Sequence, residues 1–141
     1  MIRVVLDTNV IVSAHLTPSG PSARTLLLGL AKEYEICISP DVLTEYKEVL
    51  PRSKFRLDPQ VIDEFLKALL TTAILVQPTV KIHDARDPDD DKFLECAAEA
   101  NADYLVTWNL KDYPVPPRSY SPAKALRILE PKEFLRILDE L

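Results

Sequence analysis

The chain has 141 residues, of which 47% are hydrophobic and 28% charged, and it carries a formal net charge of −5. This size and balance are typical of one globular domain, and no apolar run reaches the roughly 18 residues that a membrane-spanning helix needs. An acidic chain does not bind nucleic acid with its whole surface, so any such binding has to be local or mediated by a cation.

Apolar runs and the positions of prolines predict the order of strands and helices. Polar residues follow the first apolar run and suit the cap of a helix, and Ser-Pro or Asp-Pro pairs open several later helices. Strands are predicted at 2–6, 34–39, 73–77, 103–108 and 126–130. Helices are predicted at 10–16, 23–33, 40–50, 58–72, 87–102 and 131–141.

The alternation of strands and helices predicts an α/β fold. We expect a three-layer sandwich in which helices cover both faces of a central parallel sheet of about five strands. The sequence shows no internal repeat or linker, so residues 1–141 are interpreted as a single domain. In such sheets ligands bind beyond the carboxyl ends of the strands, which makes acidic residues at those ends candidates for a site.

Cysteine usage and the N-terminal sequence suggest a cellular location. Cys37 and Cys96 stand alone in apolar surroundings, which favours reduced core residues over a disulfide framework or a zinc site. The first residues do not resemble a signal peptide. We therefore expect a cytoplasmic protein.

Three acids fall where a site is expected. Asp7 directly follows the first strand, and Asp112 follows the fourth. Glu45 lies three residues after Val42 and four before Val49, so it shares the apolar face of its helix, where an acid needs a cation or a basic partner. A salt bridge with a lysine or arginine is the alternative explanation for Glu45.

The run 87–91 places four aspartates in five positions at the start of a predicted helix. The helix dipole favours carboxylates in a first turn, although such closely spaced charges repel one another. Asp90 falls on the inward line of the helix and Asp91 at its border, whereas Asp87 and Asp89 belong to the cap and the solvent side. Asp90 is therefore the first candidate ligand and Asp91 the second.

Clustered carboxylates without histidine or thiolate partners suit a hard cation, Mg²⁺ or Mn²⁺. Two such ions can clamp a phosphodiester and activate water. The candidate metal ligands are Asp7, Glu45, Asp90 and Asp112, with Asp91 in reserve. All but Asp91 are also the candidate catalytic residues.

Basic and aromatic residues near these acids are candidates for contacting RNA. The densest basic group could track a phosphate backbone, or it could be a solvated loop; it consists of Lys47, Arg52, Lys54 and Arg56. A weaker basic group comprises Arg118, Lys124 and Arg127. Candidates for base stacking are Trp108, Tyr113 and Tyr120.

Four segments occur in an order that resembles the PIN-domain family. They are "VVLDTNVIVSA", "ISPDVLTEYKEVL", "RDPDDDKFLECAAEANADYLVTWNLKDY" and "ALRILEPKEFL". The chain looks most similar to the bacterial and archaeal branch of VapC-like toxin components of toxin–antitoxin pairs. That resemblance implies a metal-dependent ribonuclease that cleaves single-stranded RNA, leaving 5′-phosphate and 3′-hydroxyl ends. It also implies a homodimer and an antitoxin partner.

The resemblance also carries residue roles. It implies that Asp7, Glu45 and Asp90 form the acidic metal site and that Asn9 orients the first aspartate. Relatives often have an aspartate soon after "LVT"; this chain has Trp108-Asn109 there, and "NLKD" supplies Asp112 instead. Two further polar residues are expected to support the ligands by hydrogen bonds, Thr107 and Asn109.

Three other functions were weighed. A haloacid-dehalogenase-like phosphatase needs an acid two residues after its nucleophile, where this chain has Asn9. A PIN-fold module that binds RNA or protein with little turnover is the main alternative, and a metal-binding structural protein is the third.

Overall fold

The computed structural model describes residues 1–113 and 125–141. Within these ranges strands and helices alternate along the chain. The strands are β1 (Arg3–Leu6), β2 (Glu35–Ile38), β3 (Ile74–Leu75), β4 (Tyr104–Val106) and β5 (Arg127–Leu129). The α-helices are α1 (Thr8–Leu16), α2 (Pro21–Leu30), α3 (Pro40–Val49), α4 (Pro59–Thr72), α5 (Asp91–Ala100) and α6 (Pro131–Asp139).

The strands form one parallel sheet in the order β3-β2-β1-β4-β5. This confirms the predicted α/β class with a five-stranded parallel sheet. The chain reverses its direction of growth between β1 and β4, where Leu6 pairs with Val106 and the N–H of Asp7 donates to the Val106 carbonyl at 3.0 Å. Such a reversal opens a crevice at the carboxyl ends of the two strands, where ligands bind in this class of sheet.

The core explains why the strands are so short and apolar. Val4, Val5 and Leu6 of β1 are completely buried, because strands on both sides and helices above and below exclude water. Helix α5 packs against β1, β2 and β4, while α2 packs against α1, α6 and β2. Burial of this kind is the main favourable contribution to the folding free energy.

Several element boundaries differ from the sequence-based prediction. Helix α1 begins at Thr8 rather than at residue 10, and β3 has two residues where five were predicted. The predicted helix at 87–102 begins as a 3₁₀ turn, Pro88–Asp90, before α5 starts at Asp91. In that turn the Asp87 side chain accepts a hydrogen bond from the N–H of Asp89 at 3.0 Å and so acts as the N-cap residue.

Both cysteines, Cys37 and Cys96, are buried free thiols. Burial raises the pKa of the Cys37 thiol to about 11 and that of Cys96 to about 12, so both behave as small apolar core residues. In the part of the chain that the structure describes, no helix has the length and apolar character to span a bilayer.

Candidate active site

An open cleft of about 630 Å³ lies beyond the carboxyl ends of β1 and β4. It collects acidic side chains from well-separated parts of the sequence: the end of β1, helix α3, the 3₁₀ turn before α5 and the loop after β4. The acids that line it are Asp7, Glu45, Asp87, Asp89, Asp90 and Asp112. Four of them are the predicted catalytic residues.

Asp7 is the most deeply placed acid of the cleft, with 5% of its surface exposed. It serves as the N-cap residue of α1 but its side chain makes no cap hydrogen bond. Instead, Oδ2 accepts hydrogen bonds from the hydroxyls of Thr107 and Tyr113, each at 2.9 Å. Burial raises the pKa of Asp7, the two hydrogen bonds partly offset that increase, and the charge of Glu45 adds to it.

A short hydrogen-bond chain fixes the Thr107 hydroxyl that orients Asp7. Asn9 Nδ2 donates to Thr107 Oγ1 at 3.1 Å, and the N–H of Asn109 donates to the same oxygen at 3.0 Å. The N–H of Trp108 donates to Asn9 Oδ1 at 3.0 Å. Because Thr107 accepts from both neighbours, its single proton is directed at Asp7.

Glu45 projects from α3 into the cleft, and protein partners engage both of its carboxylate oxygens. Lys92 Nζ donates to Oε1 at 2.8 Å, and the Thr8 hydroxyl donates to Oε2. The pKa of Lys92 is raised: burial alone would lower it, but the hydrogen bond and negative charge of Glu45 outweigh that effect. The salt bridge considered as an alternative for Glu45 is thus present, and it joins this cleft residue to Lys92, which is not itself part of the cleft lining.

Asp90 ends the 3₁₀ turn and is half-buried. Its pKa is raised to about 7, first by burial and then by the charges of Asp7, Asp112, Asp87 and Glu45. These side chains therefore converge closely enough for each negative charge to disfavour the next. A cation placed among them would relieve that repulsion.

Asp91, the reserve ligand, does not line the cleft. It is 8% exposed, and its Oδ1 accepts a hydrogen bond from the N–H of Ala85 at 2.8 Å. His83 Nδ1 lies 3.9 Å from Oδ2. One step along a helix turns a side chain by about 100°, which is enough to direct Asp91 away from the side occupied by Asp90.

Asp87 and Asp89 were not candidate ligands, but both line the cleft. We assigned them to the helix cap and the solvent side, and both are exposed. For Asp87 the 3₁₀ geometry gives a reason, because residues three apart in such a turn share a side and Asp87 is three residues before Asp90.

The predicted basic group divides at the cleft. Arg52 and Lys54 line it together with the acids, whereas Lys47 and Arg56 are exposed but are not part of its lining. Phe55 was not predicted as a site residue, but it also lines the cleft, and Lys54 Nζ lies 5.2 Å from its ring centroid. The only signal for Phe55 was a single aromatic residue within the basic connection "RSKFRL".

The two aromatic candidates after β4 that the structure describes, Trp108 and Tyr113, do not offer open rings. Tyr113 is 4% exposed and donates its hydroxyl to Asp7, so the prediction that it stacks on a base is wrong for this geometry. Trp108 is half-buried, and its Nε1 donates to Ser22 Oγ at 2.8 Å. Arg127 is exposed on β5 and lies over the Tyr104 ring, away from the cleft. The remaining candidates lie outside the described residues: Arg118, Tyr120 and Lys124.

The donor chemistry fits a hard divalent cation, since the acids of the cleft present carboxylate oxygens. Among the residues that the structure describes, however, no three His, Cys, Asp or Glu side chains are close enough together to hold a metal ion. Both oxygens of Glu45 are also engaged by protein partners, Thr8 and Lys92. A bound cation therefore requires the carboxylates to move closer together, with Glu45 either exchanging Lys92 for the metal or staying outside the metal site.

Comparison with known proteins settles the family. The model of a protein family described as "PIN domain" matches residues 3–111, a range that contains Asp7, Glu45 and Asp90. This chain belongs to the PIN domain family. The family resemblance stated from sequence is thereby confirmed for most of the chain.

Two known proteins are similar to this PIN domain, one in sequence and one in structure. An uncharacterized protein of Methanocaldococcus jannaschii is 32% identical over 104 residues, which are 72% of this chain and 67% of the relative. The crystal structure of VapBC2 from Rickettsia felis bound to a DNA fragment from their promoter matches with a TM-score of 0.55 at 20% identity. That match covers 90% of this chain and 98% of the other, and at this identity it supports the PIN-like fold.

Proposed function

We propose that this PIN domain is an endoribonuclease that depends on a divalent cation and hydrolyses phosphodiester bonds of single-stranded RNA. The observation that carries the proposal is that one cleft is lined both by carboxylates and by Arg52, Lys54 and Phe55. Such a cleft has groups for a cation and groups for a nucleic-acid strand within reach of one another.

Mg²⁺ or Mn²⁺ would be held by Asp7, Asp90 and Asp112, with Glu45 as a further ligand. When bound, the cation supplies positive charge that stabilises the phosphate in the transition state and lowers the pKa of water. The protein's own contribution is orientation: Thr107 and Tyr113 fix the Asp7 carboxylate before any cation arrives.

The strand would approach along the basic residues of the cleft. Arg52 and Lys54 are both exposed and would neutralise phosphates next to the scissile bond. Phe55 presents an apolar ring of the kind on which an unpaired base stacks. A duplex does not offer unstacked bases, so this arrangement favours a single strand. The proposed products carry a 5′-phosphate and a 3′-hydroxyl.

The test is cleavage of end-labelled single-stranded RNAs of varied sequence by purified protein with Mn²⁺, Mg²⁺ or EDTA. We expect cleavage with either cation and none in EDTA. Asp7→Asn and Asp90→Asn should reduce the rate at least about 100-fold, because each removes a ligand charge. Asp63→Asn is the matched control, since Asp63 is an exposed acid on α4 that pairs with Lys67. Equal rates in all variants would contradict the proposal.

A second candidate function has a specific observation in its favour. Glu45 is held by Lys92, and the net charge is −5, which together favour a PIN-fold module that binds RNA or protein with little turnover. RNA binding that is the same in Mn²⁺ and EDTA, with no cleavage of any sequence tested, would support this module over the nuclease.

We further propose that the chain is the toxin component of a toxin–antitoxin pair. A second groove of about 370 Å³ supports this; its lining is mostly apolar and comes from α1, α2 and α4. Leu27, which is 63% exposed, and Val61, which is 45% exposed, lie on it and would be covered by an apolar helix face. We expect expression of the chain to arrest growth and a co-expressed antitoxin to relieve the arrest. The antitoxin should fail to relieve it when Leu27→Glu is introduced.

Homodimerisation and a cytoplasmic location remain predictions.

A further inference from the structure

Three carboxylates on one face of α5 hold the chain segment that precedes the helix. They are spaced four residues apart, and their backbone partners are spaced three residues apart, so the segment runs antiparallel to α5. The pairs are Asp91 Oδ1 with the N–H of Ala85 (2.8 Å), Glu95 Oε2 with the N–H of Ile82 (3.0 Å), and Glu99 Oε1 with the N–H and the hydroxyl of Thr79 (3.0 Å each). We call these three pairs the carboxylate ladder.

Burial shows which parts of the carboxylate ladder the fold depends on. Asp91 and Glu95 are each 8% exposed, and Ile82 is 2% exposed. A buried carboxylate is tolerated only when donors satisfy it, and a buried N–H equally needs an acceptor. Glu99, at the far end, is exposed and holds an exposed residue, so its pair does not have that constraint.

The Asp91 pair closes a loop that contains part of the active site. The loop runs from Ala85 to Asp91, and Asp90 lies within it. The N–H of Arg86, in the same loop, donates to the carbonyl of Asp112 at 2.8 Å. Through this contact the loop that carries one candidate ligand is joined to the turn that carries another.

We propose that Asp91 is a positioning residue: its carboxylate holds the loop closed, so that Asp90 and Asp112 are presented together to the divalent cation. This inference rests on the proposed function. It replaces the role of reserve ligand that the sequence suggested for Asp91. Because the contact is a hydrogen bond to a backbone N–H, what it requires of Asp91 is an acceptor oxygen and not a charge.

The test asks whether Asp91 can be replaced by asparagine. A residue that only accepts a hydrogen bond tolerates this change, whereas a metal ligand does not. Mn²⁺ affinity is measured by electron paramagnetic resonance of the free ion, with circular dichroism to verify folding. Asp91→Asn keeps an acceptor oxygen, and we expect affinity within about threefold of wild type. Asp91→Ala removes it, and we expect a loss of about 10- to 100-fold. Asp90→Asn provides the response of a ligand.

Two further variants keep the test decisive. Ala85→Pro removes the donor of the same hydrogen bond without changing any carboxylate, so it should weaken Mn²⁺ binding as Asp91→Ala does, even if the latter folds poorly. Glu99→Ala removes the exposed end of the carboxylate ladder and should leave the affinity unchanged.

The outcomes distinguish this inference from the proposed function. Asp91→Asn behaving like Asp90→Asn would make Asp91 a ligand and overturn the inference, as would wild-type affinity in both Asp91→Ala and Ala85→Pro. A wild-type protein that binds Mn²⁺ but cleaves no RNA would overturn the proposed function and leave the positioning role standing. Absence of saturable Mn²⁺ binding in the wild type would overturn both.

Discussion

At the scale of single residues, the lysine that pairs with Glu45 has the largest consequence. The side chains of Lys92 and Glu45 are 25% and 19% exposed, and their charged groups are 2.8 Å apart. Lys92 is a positive charge that interacts with the carboxylates of Glu45, Asp89 and Asp41. A divalent cation that binds Glu45 would have to displace the ammonium group of Lys92 from it.

Replacing Lys92 with methionine tests this role. Lys92→Met leaves Glu45 without its cation, so we expect the metal-free protein to lose about 1–3 kcal/mol of unfolding free energy. Mn²⁺ should then stabilise the variant more than the wild type, since it meets an uncompensated carboxylate. Urea denaturation in EDTA and in Mn²⁺ measures both effects.

The matched control for that experiment is Lys67→Met. Lys67 pairs with Asp63 at 3.1 Å on the surface of α4, where its side chain is 77% exposed. An exposed pair of this kind contributes about 0.3–0.5 kcal/mol, and Mn²⁺ should affect the control and the wild type equally. An equal Mn²⁺ response in Lys92→Met would contradict the displacement of Lys92 by the cation.

Residue positions at strand ends were predictable from sequence, and side-chain directions were less so. Asp7 and Thr107 follow strands, and parallel strands end at one edge, so their proximity follows from topology alone. The different placement of Asp90 and Asp91 depends on where a 3₁₀ turn becomes an α-helix. The apolar periodicity ranks Asp90 above Asp91 as a ligand, but it carries no signal for the backbone contact by which Asp91 holds the N–H of Ala85.

At the scale of elements, the end of α2 shows a helix stop made without glycine. Lys32 has a φ of 65°, in the left-handed region. Its N–H donates to the Gly29 carbonyl at 3.0 Å, and the N–H of Glu33 donates to the Leu28 carbonyl at 2.9 Å, which is the hydrogen-bond pattern of a Schellman motif. Glycine is preferred at that position because it has no Cβ to strain.

Lys32→Gly should therefore stabilise the protein relative to Lys32→Ala by about 1 kcal/mol. Both variants remove the same charged side chain, so the comparison isolates the backbone strain of a left-handed residue. Urea denaturation of the two variants measures the difference. Equal stability would mean that the α2 terminus relaxes without cost when the residue changes.

The helices themselves were foreseen because their starts are marked in the sequence. Ser39 accepts from the N–H of Val42 at 3.2 Å, and Asp58 from that of Gln60 at 2.8 Å, each followed by a proline at the first helical position. β3 was overestimated because the apolar run 73–77 continues past the point where pairing with β2 stops. Pairing depends on the neighbouring strand, which a local pattern does not contain.

At the scale of the whole molecule, negative charge is concentrated at one edge of the sheet. The pKa of Asp90 is raised from the usual 3.8 to about 7, and that of Asp7 is also raised. The folded protein thus binds more protons than the unfolded chain in this range, so these groups make the metal-free protein less stable as pH rises from about 4 to about 7.

This predicts a pH-dependent effect of Asp90→Asn in EDTA. The variant should gain stability over the wild type as pH rises from 5 through the Asp90 pKa of about 7, and the gain should level off roughly one pH unit above that pKa, where Asp90 is mostly charged. Urea denaturation at several pH values gives the difference. A difference that stays constant across this range would show that Asp90 does not experience the charges of its neighbours.

The backbone contact between Trp108 and Asn9 has a practical consequence. Trp108 is the single tryptophan of the chain, and its N–H binds the residue that steers the Thr107 hydroxyl toward Asp7. Its indole emission therefore originates from one known place beside the cleft. We expect this emission to change when a cation or RNA fills the cleft, which would let binding be followed without attaching a dye.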